Sequence, residues 1–302
     1  MADEKCASCG TAGGDDVTLK NCTACYLVKY CGVECQRNHR PQHKRACKKR
    51  AAELKDEVLF KQPESSYVGD CPICCLPMPV PKSQDTVRSS LYACCSKVVC
   101  NGCIYANYLR EFEARLPRSC PFCRHPTPKT DEESHQLEMK RIEANDPVAL
   151  CNLGSKCNYH GAHGTAMKHW EKAAEFGHAD SHYQLACVYH EGRYGVEKDM
   201  KKYMYHTEQA AIGGHNLARH NLGVWELDKY NANRAVKHFI IASNLGHDES
   251  METLKRFYSL GVVSKEDLAA ALHSHNAAVD ATKSPQRDAA EEYRKTLQIE
   301  MM

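Results

Sequence analysis

A mainly α chain, with two small cysteine-rich modules leading into an α-solenoid, is what three features of this sequence predict. Of its 19 cysteines in 302 residues, 16 fall within the first 123. The C-terminal half carries three segments that end in Gly-His, "WEKAAEFGHAD", "TEQAAIGGHNL" and "FIIASNLGHDE", with the glycines at 177, 214 and 246. Beyond "RHPTPKTDEES" the composition turns helical and cysteine-poor.

The opening "MADEKCASCG" is acidic and polar and has no apolar core, so it does not read as a secretory signal. No apolar run approaches the roughly 18 residues of a membrane span, and no membrane partner is expected. The expected place is inside the cell, cytoplasmic or nuclear, where thiols stay reduced and clustered cysteines bind metal rather than form disulfides. A formal net charge of +2 selects no partner class and argues against nucleic acid.

In the first module Cys6 and Cys9 form one C-x2-C pair and Cys22 and Cys25 a second. Cys31 and Cys35 follow, then His43 and Cys47. The last two are four residues apart in a helix-prone stretch, which places both on one helical face, as two ligands of one tetrahedral ion require. Eight ligands make two zinc sites. The run "YCGVECQRNHRPQHKRAC" resembles the MYND zinc finger over residues 6–47. That resemblance implies interleaved sites, Cys6, Cys9, Cys31 and Cys35 on one zinc and Cys22, Cys25, His43 and Cys47 on the other. Arg40 stands where many MYND fingers carry the Trp that helps bind proline-containing peptides. His39 reads as a packed or solvated helix residue. The module is taken as 1–50. The stretch 51–66 is a basic helix and linker, with Leu54 and Val58 facing inward.

The second module, 67–126, again offers eight cysteines: Cys71 and Cys74 in "CPIC", Cys94, Cys95, Cys100 and Cys103 in "CCSKVVCNGC", and Cys120 and Cys123 in "CPFC". This layout resembles a RING finger in an all-cysteine variant. By that resemblance Cys71 and Cys74 pair with Cys100 and Cys103, and Cys94 and Cys95 with Cys120 and Cys123. An ordinary RING has one to three residues between its third and fourth ligands and two or three before the fifth; here the gaps are zero and four.

Ligand sulfurs on tetrahedral zinc lie roughly 3.8 Å apart, about the Cα spacing of neighbours, so adjacent cysteines can reach one ion from a tight turn but not from a regular strand. The alternative is that only one of Cys94 and Cys95 binds and the other is a buried thiol. Cys75 is left over, a packing thiol. Modules this small bury little core, and structural zinc contributes roughly 10–16 kcal/mol in finger peptides.

Thr130 and Glu133 form a capping box at the head of a charged connector helix in 127–145, and Asp146 with Pro147 opens the repeats. Each Gly-His follows a "CNLG", "YQLA" or "HNLG" segment, with Leu153, Leu185 and Leu222. The middle repeat has five extra residues, placed in "EGRYGVEKD". Periods of 32 to 37 residues with two helices each mean an α-solenoid. The loop and the "KAA..G" signature resemble Sel1-like repeats, relatives of the tetratricopeptide repeat. The solenoid is taken as 146–283, closed by a degenerate repeat with Ser264 as a cap, and 284–302 as an exposed final helix or tail. Trp170, Tyr189, Trp225 and Phe239 read as core or groove residues, and Cys151, Cys157 and Cys187 as small core residues. The recurrent histidines mark recurrent helix ends.

The fold class is therefore mainly α, two small cross-braced zinc modules followed by an α-solenoid of Sel1-like repeats, with four structural zinc ions as the expected cofactors. Nothing reads as a catalytic residue. The RING resemblance implies a ubiquitin ligase without a nucleophile of its own, in which the RING holds a ubiquitin-conjugating enzyme and the other modules bind protein partners or substrate. Ile73, Tyr108, Pro121 and Arg124 match partner-contact positions in such ligases. The alternative is a non-catalytic protein-protein interaction scaffold.

Overall fold

The computed structural model describes residues 5–79 and 89–300, so the first four residues of the opening segment and the last two of the tail lie outside the described residues. The chain divides into two compact units, residues 1–61 and 62–302.

In the first unit a two-stranded antiparallel sheet, β1 (Lys20–Asn21) and β2 (Lys29–Tyr30), precedes a 27-residue helix α1 (Val33–Leu59). The basic stretch is thus no separate helix; it continues the helix that carries His43 and Cys47. Its apolar face is also one residue off the expected position, because Leu59 is buried while Val58 is exposed and Leu54 half-buried. The buried core of this unit is Cys6, Cys22, Cys25 and Tyr30. A core made largely of thiols holds little hydrophobic free energy of its own, which is why metal must supply the rest.

The second unit begins with a hairpin of β3 (Ser89–Tyr92) and β4 (Lys97–Cys100), followed by α2 (Asn101–Glu113) and the connector α3 (Asp131–Glu143). Eight helices then follow, three close pairs of α4 (Pro147–Tyr159) with α5 (His163–Glu175), α6 (Ala179–Glu191) with α7 (Met200–Ile212) and α8 (Asn216–Asp228) with α9 (Ala232–Asn244), and then α10 (Asp248–Ser259) and α11 (Lys265–Ala281), which both pack on α9 as well as on each other. The molecule is mostly helical and this array is a solenoid. The last helix, α12 (Pro285–Glu300), leaves the array and packs on α2 instead. It is not the free exposed helix that its sequence suggests.

The expected caps are made. Thr130 Oγ1 accepts from the Glu133 N–H at 3.1 Å, Asp146 Oδ1 from Val148 and Ala149, and Ser264 Oγ from Asp267. Glu133 reaches back to the Lys129 N–H rather than to that of Thr130. The insertion of the middle repeat is the α6–α7 loop, 192–199, against 160–162 and 229–231 in its neighbours.

The Gly-His repeats have a specific cause. Gly177, Gly214 and Gly246 all take positive φ, 76° to 83°, as the chain turns out of one helix. Each following histidine is the N-cap of the next helix, its Nδ1 accepting the N–H of Ser181, Ala218 or Ser250. The histidine therefore marks a helix start, with the Nδ1 lone pair serving as the capping acceptor.

Candidate metal centres and the partner-contact face

Sixteen side chains gather into four tetrads, each with its ligand atoms within 4.8 Å of one another. Cys6, Cys9, Cys31 and Cys35 form the first, and Cys22, Cys25, His43 and Cys47 the second. Cys71, Cys74, Cys100 and Cys103 form the third, and Cys94, Cys95, Cys120 and Cys123 the fourth. In both modules the tetrads interleave along the chain. Sulfur–sulfur distances of 3.4 to 3.9 Å, such as Cys74 to Cys100 at 3.8 Å and Cys94 to Cys123 at 3.4 Å, are far longer than a disulfide. They match the edge of a tetrahedron whose centre lies about 2.3 Å from each sulfur. Cys25 Sγ and His43 Nε2, 3.2 Å apart, serve the mixed site in the same way. Three of the donor sets are all cysteine, and the second tetrad replaces one thiol with an imidazole. Such sets fit zinc, and four protein donors to each site suit structural rather than catalytic zinc. Four sites that could bind zinc are thus present.

Four C-x2-C pairs share one backbone device. The residue after the second cysteine is left-handed in each: Gly10 (φ 75°), Tyr26 (58°), Cys75 (55°) and Arg124 (63°). Its N–H returns to the carbonyl of the first cysteine, at 2.9 Å for Gly10, Tyr26 and Cys75 and 3.0 Å for Arg124. A left-handed non-glycine residue costs about 1–2 kcal/mol, small against the roughly 10–16 kcal/mol of a structural zinc. The turn leaves N–H groups pointing at sulfur. Those of Cys9 and Cys31 bring the Cys6 thiol down to about 6, closer to the thiolate a metal needs. Cys75 belongs to no tetrad and is exposed on this left-handed corner, not packed as its sequence context suggests.

The adjacent pair Cys94 and Cys95 sits in the 93–96 turn of the β3–β4 hairpin, where the Ser96 N–H closes on the Tyr92 carbonyl at 2.8 Å. Both enter the fourth tetrad. Cys100 ends β4 and precedes α2, and Cys103 lies in its first turn, so a strand-to-helix corner presents two thiols where the helix N-terminus favours negative charge.

Around the fourth tetrad, buried Glu111 on α2 accepts from the Ser119 N–H at 3.1 Å and the Ser119 hydroxyl at 2.6 Å. Burial works to raise its carboxyl, but the Ser119 and Asn107 donors outweigh it and hold the group below its ordinary value. Glu111 thereby ties the segment leading into Cys120 to α2. Nothing local in the sequence marks it.

Of the four positions expected from the sequence to contact a partner, Ile73 is 41% exposed on its knuckle, and Pro121 is buried. Phe122, the matching residue of "CPFC", is equally exposed; the duplicated C-P-x-C pattern was the signal for it. Arg124 is exposed and folds back to donate to Asn107 Oδ1. Tyr108 lies under the Arg118 guanidinium, 4.0 Å from its ring centroid, and beside Tyr293 of α12.

Residues 6–47 match the family model of the MYND finger. The match coincides with the first two tetrads. Two solved structures are similar to the chain. One is a protective antigen of uropathogenic Escherichia coli displaying an SLR fold, 20% identical over 57% of this chain and 37% of that chain, with a TM-score of 0.42. The other is a Sel1 repeat protein from Oxalobacter formigenes, 23% identical over 58% of this chain and 71% of that one, also with a TM-score of 0.42. The aligned part thus spans well under half the length of the first. A comparison with curated proteins found no significant match. No described helix is long and apolar enough to cross a membrane.

Proposed function

We propose that the chain is an intracellular, zinc-stabilised protein-interaction protein whose second module recruits a ubiquitin-conjugating enzyme, while the first finger and the solenoid hold protein partners or substrate. The proposed division of labour follows residues 1–50, 67–126 and 146–283, joined by 51–66 and 127–145. The observation that carries the reading is the pair of zinc knuckles in the second module, each with one exposed apolar side chain, Ile73 and Phe122, beside a tetrad. An apolar anchor on a rigid loop is what a small docking interface needs. The tetrad side chains are all committed to metal, so the thioester chemistry belongs to the partner. This chain contributes placement. Arg124, at the end of the second knuckle, would hydrogen-bond across the junction of enzyme and ubiquitin and orient the thioester for attack.

A panel of ubiquitin-charged conjugating enzymes tests this. Ile73→Glu should abolish binding, while Arg124→Ala should bind and discharge slowly. If zinc-replete wild-type protein neither binds nor discharges any member, the second reading takes its place: a non-catalytic scaffold. One observation favours that reading, the cover that Tyr293 places over Tyr108.

A further inference from the structure

The C-terminal helix packs on the second module through residues between Gln286 and Tyr293. At its start, Arg287 donates from Nη1 to the Pro77 carbonyl at 2.7 Å, and from Nη2 to the Leu76 carbonyl at 3.1 Å and Cys74 Sγ at 3.5 Å. The guanidinium thus grips the loop after the first knuckle and places a positive charge beside the third tetrad, whose four thiolates would exceed the charge of a divalent ion by two. At Gly102 the contact is backbone to backbone, since a Cβ there would lie 2.8 Å from Arg287 N and 2.9 Å from Gln286 C. Further along, Ala290 is buried and the Tyr293 ring stacks on Tyr105 at 4.9 Å. The Tyr293 and Tyr108 hydroxyls are 3.4 Å apart. A cleft of about 430 Å3 remains between the two helices, lined by Ile104, Tyr108, Pro121, Ala290 and Tyr293 among others.

Two of the four partner-contact positions, Tyr108 and Pro121, therefore lie where α12 is seated. The seat is weak in apolar terms: among the described side chains of α12, Ala290 alone is a fully buried apolar one. It is strong in connectivity, because only the short connection 282–284 separates α12 from α11, and so brief a tether keeps the helix at high effective concentration over the module. A small interface held by a short tether is populated without a partner and gives way to one that binds the same residues more tightly.

We propose that α12 is an exchangeable intramolecular occupant of the second module's partner face, so that a ubiquitin-conjugating enzyme docks on Tyr108 and Pro121 only when α12 has left. The identity of that partner rests on the ligase reading above. The test compares the full chain, a chain ending at Lys283 and a full-length Tyr293→Ala variant, each with its zinc content measured, for binding to a panel of conjugating enzymes. If α12 is seated about nine-tenths of the time, the shortened chain binds about tenfold more tightly than the full chain. Tyr293→Ala moves affinity in the same direction. Should shortening release zinc through loss of Arg287, Tyr293→Ala, which touches no ligand, decides alone. Equal affinity for all three proteins overturns the exchange and leaves the ligase reading standing; no binding by any of them overturns both.

Discussion

The Cβ that Gly154 lacks would lie 2.6 Å from the indole of Trp170. Gly223 stands in the same relation to Phe239, at 2.7 Å. Both pairs join the first helix of a repeat to the second, and both aromatic rings are buried. At the corresponding positions of the middle repeat stand Ala186 and Thr207, also buried. There the larger residue on one helix accompanies a smaller one on the other, as close packing requires.

Gly154→Ala and Gly223→Ala should therefore destabilise the chain, although alanine is normally the better helix residue by about 0.5–1 kcal/mol. Overpacking a filled core costs about 1–3 kcal/mol and should win. Gly164→Ala, with nothing within 4 Å of its added Cβ, is the control and should be neutral or stabilising. Denaturant midpoints at constant m-value measure all three.

Elemental analysis of purified protein should return four zinc ions per chain. Cys95→Ser should lose one and loosen the second module only, as seen by limited proteolysis. An unchanged count would mean that Cys95 is not a ligand.

His206, His238 and His247 are held by burial at about 4, about 3 and about 4, against an ordinary 6.5. Unfolded, they would titrate near 6.5, so below that pH the unfolded chain binds more protons than the folded one. Their contribution to stability should be whole above pH 6.5 and should fall progressively as the pH drops towards 4. His247→Asn keeps an N-cap acceptor and removes one titration. It should reduce the slope of stability against pH in that window while leaving stability near pH 8 little changed, which denaturation at a series of pH values would show.

Gly214 and Gly246 have nearly the same positive φ, but a Cβ on Gly214 would meet the Ser65 carbonyl oxygen at 2.5 Å, whereas one on Gly246 meets nothing. The segment before the second module is pinned at that point: the Tyr67 N–H donates to the Gly214 carbonyl at 3.1 Å, and the Tyr67 ring stacks on His215 at 4.2 Å. Both alanine variants should bear the left-handed cost of about 1–2 kcal/mol. Only Gly214→Ala should also speed proteolytic cleavage within 62–70. Equal cleavage rates would mean that the segment is held elsewhere.

Some of this was legible because it is local. A cysteine offers the same sulfur wherever the chain places it, and C-x2-C spacing closes a turn by itself, so four sites fit for zinc can be read from residue type and interval. Helix starts at Thr130, Asp146 and Ser264, and the period of the Gly-His segments, are likewise written within a few residues of where they act. What tertiary structure alone decided are contacts between residues with no sequence pattern in common. Arg287 on Cys74, Tyr293 over Tyr108, Ser65 against Gly214 and Trp170 over Gly154 each depend on one surface meeting another. The final helix illustrates the difference: its polar sequence makes a helix, but one arginine aimed at three acceptors and one glycine without a Cβ determine that it lies on the second module. Local geometry costs little entropy to encode in neighbouring residues, whereas a docking site is defined only once distant segments have been brought together.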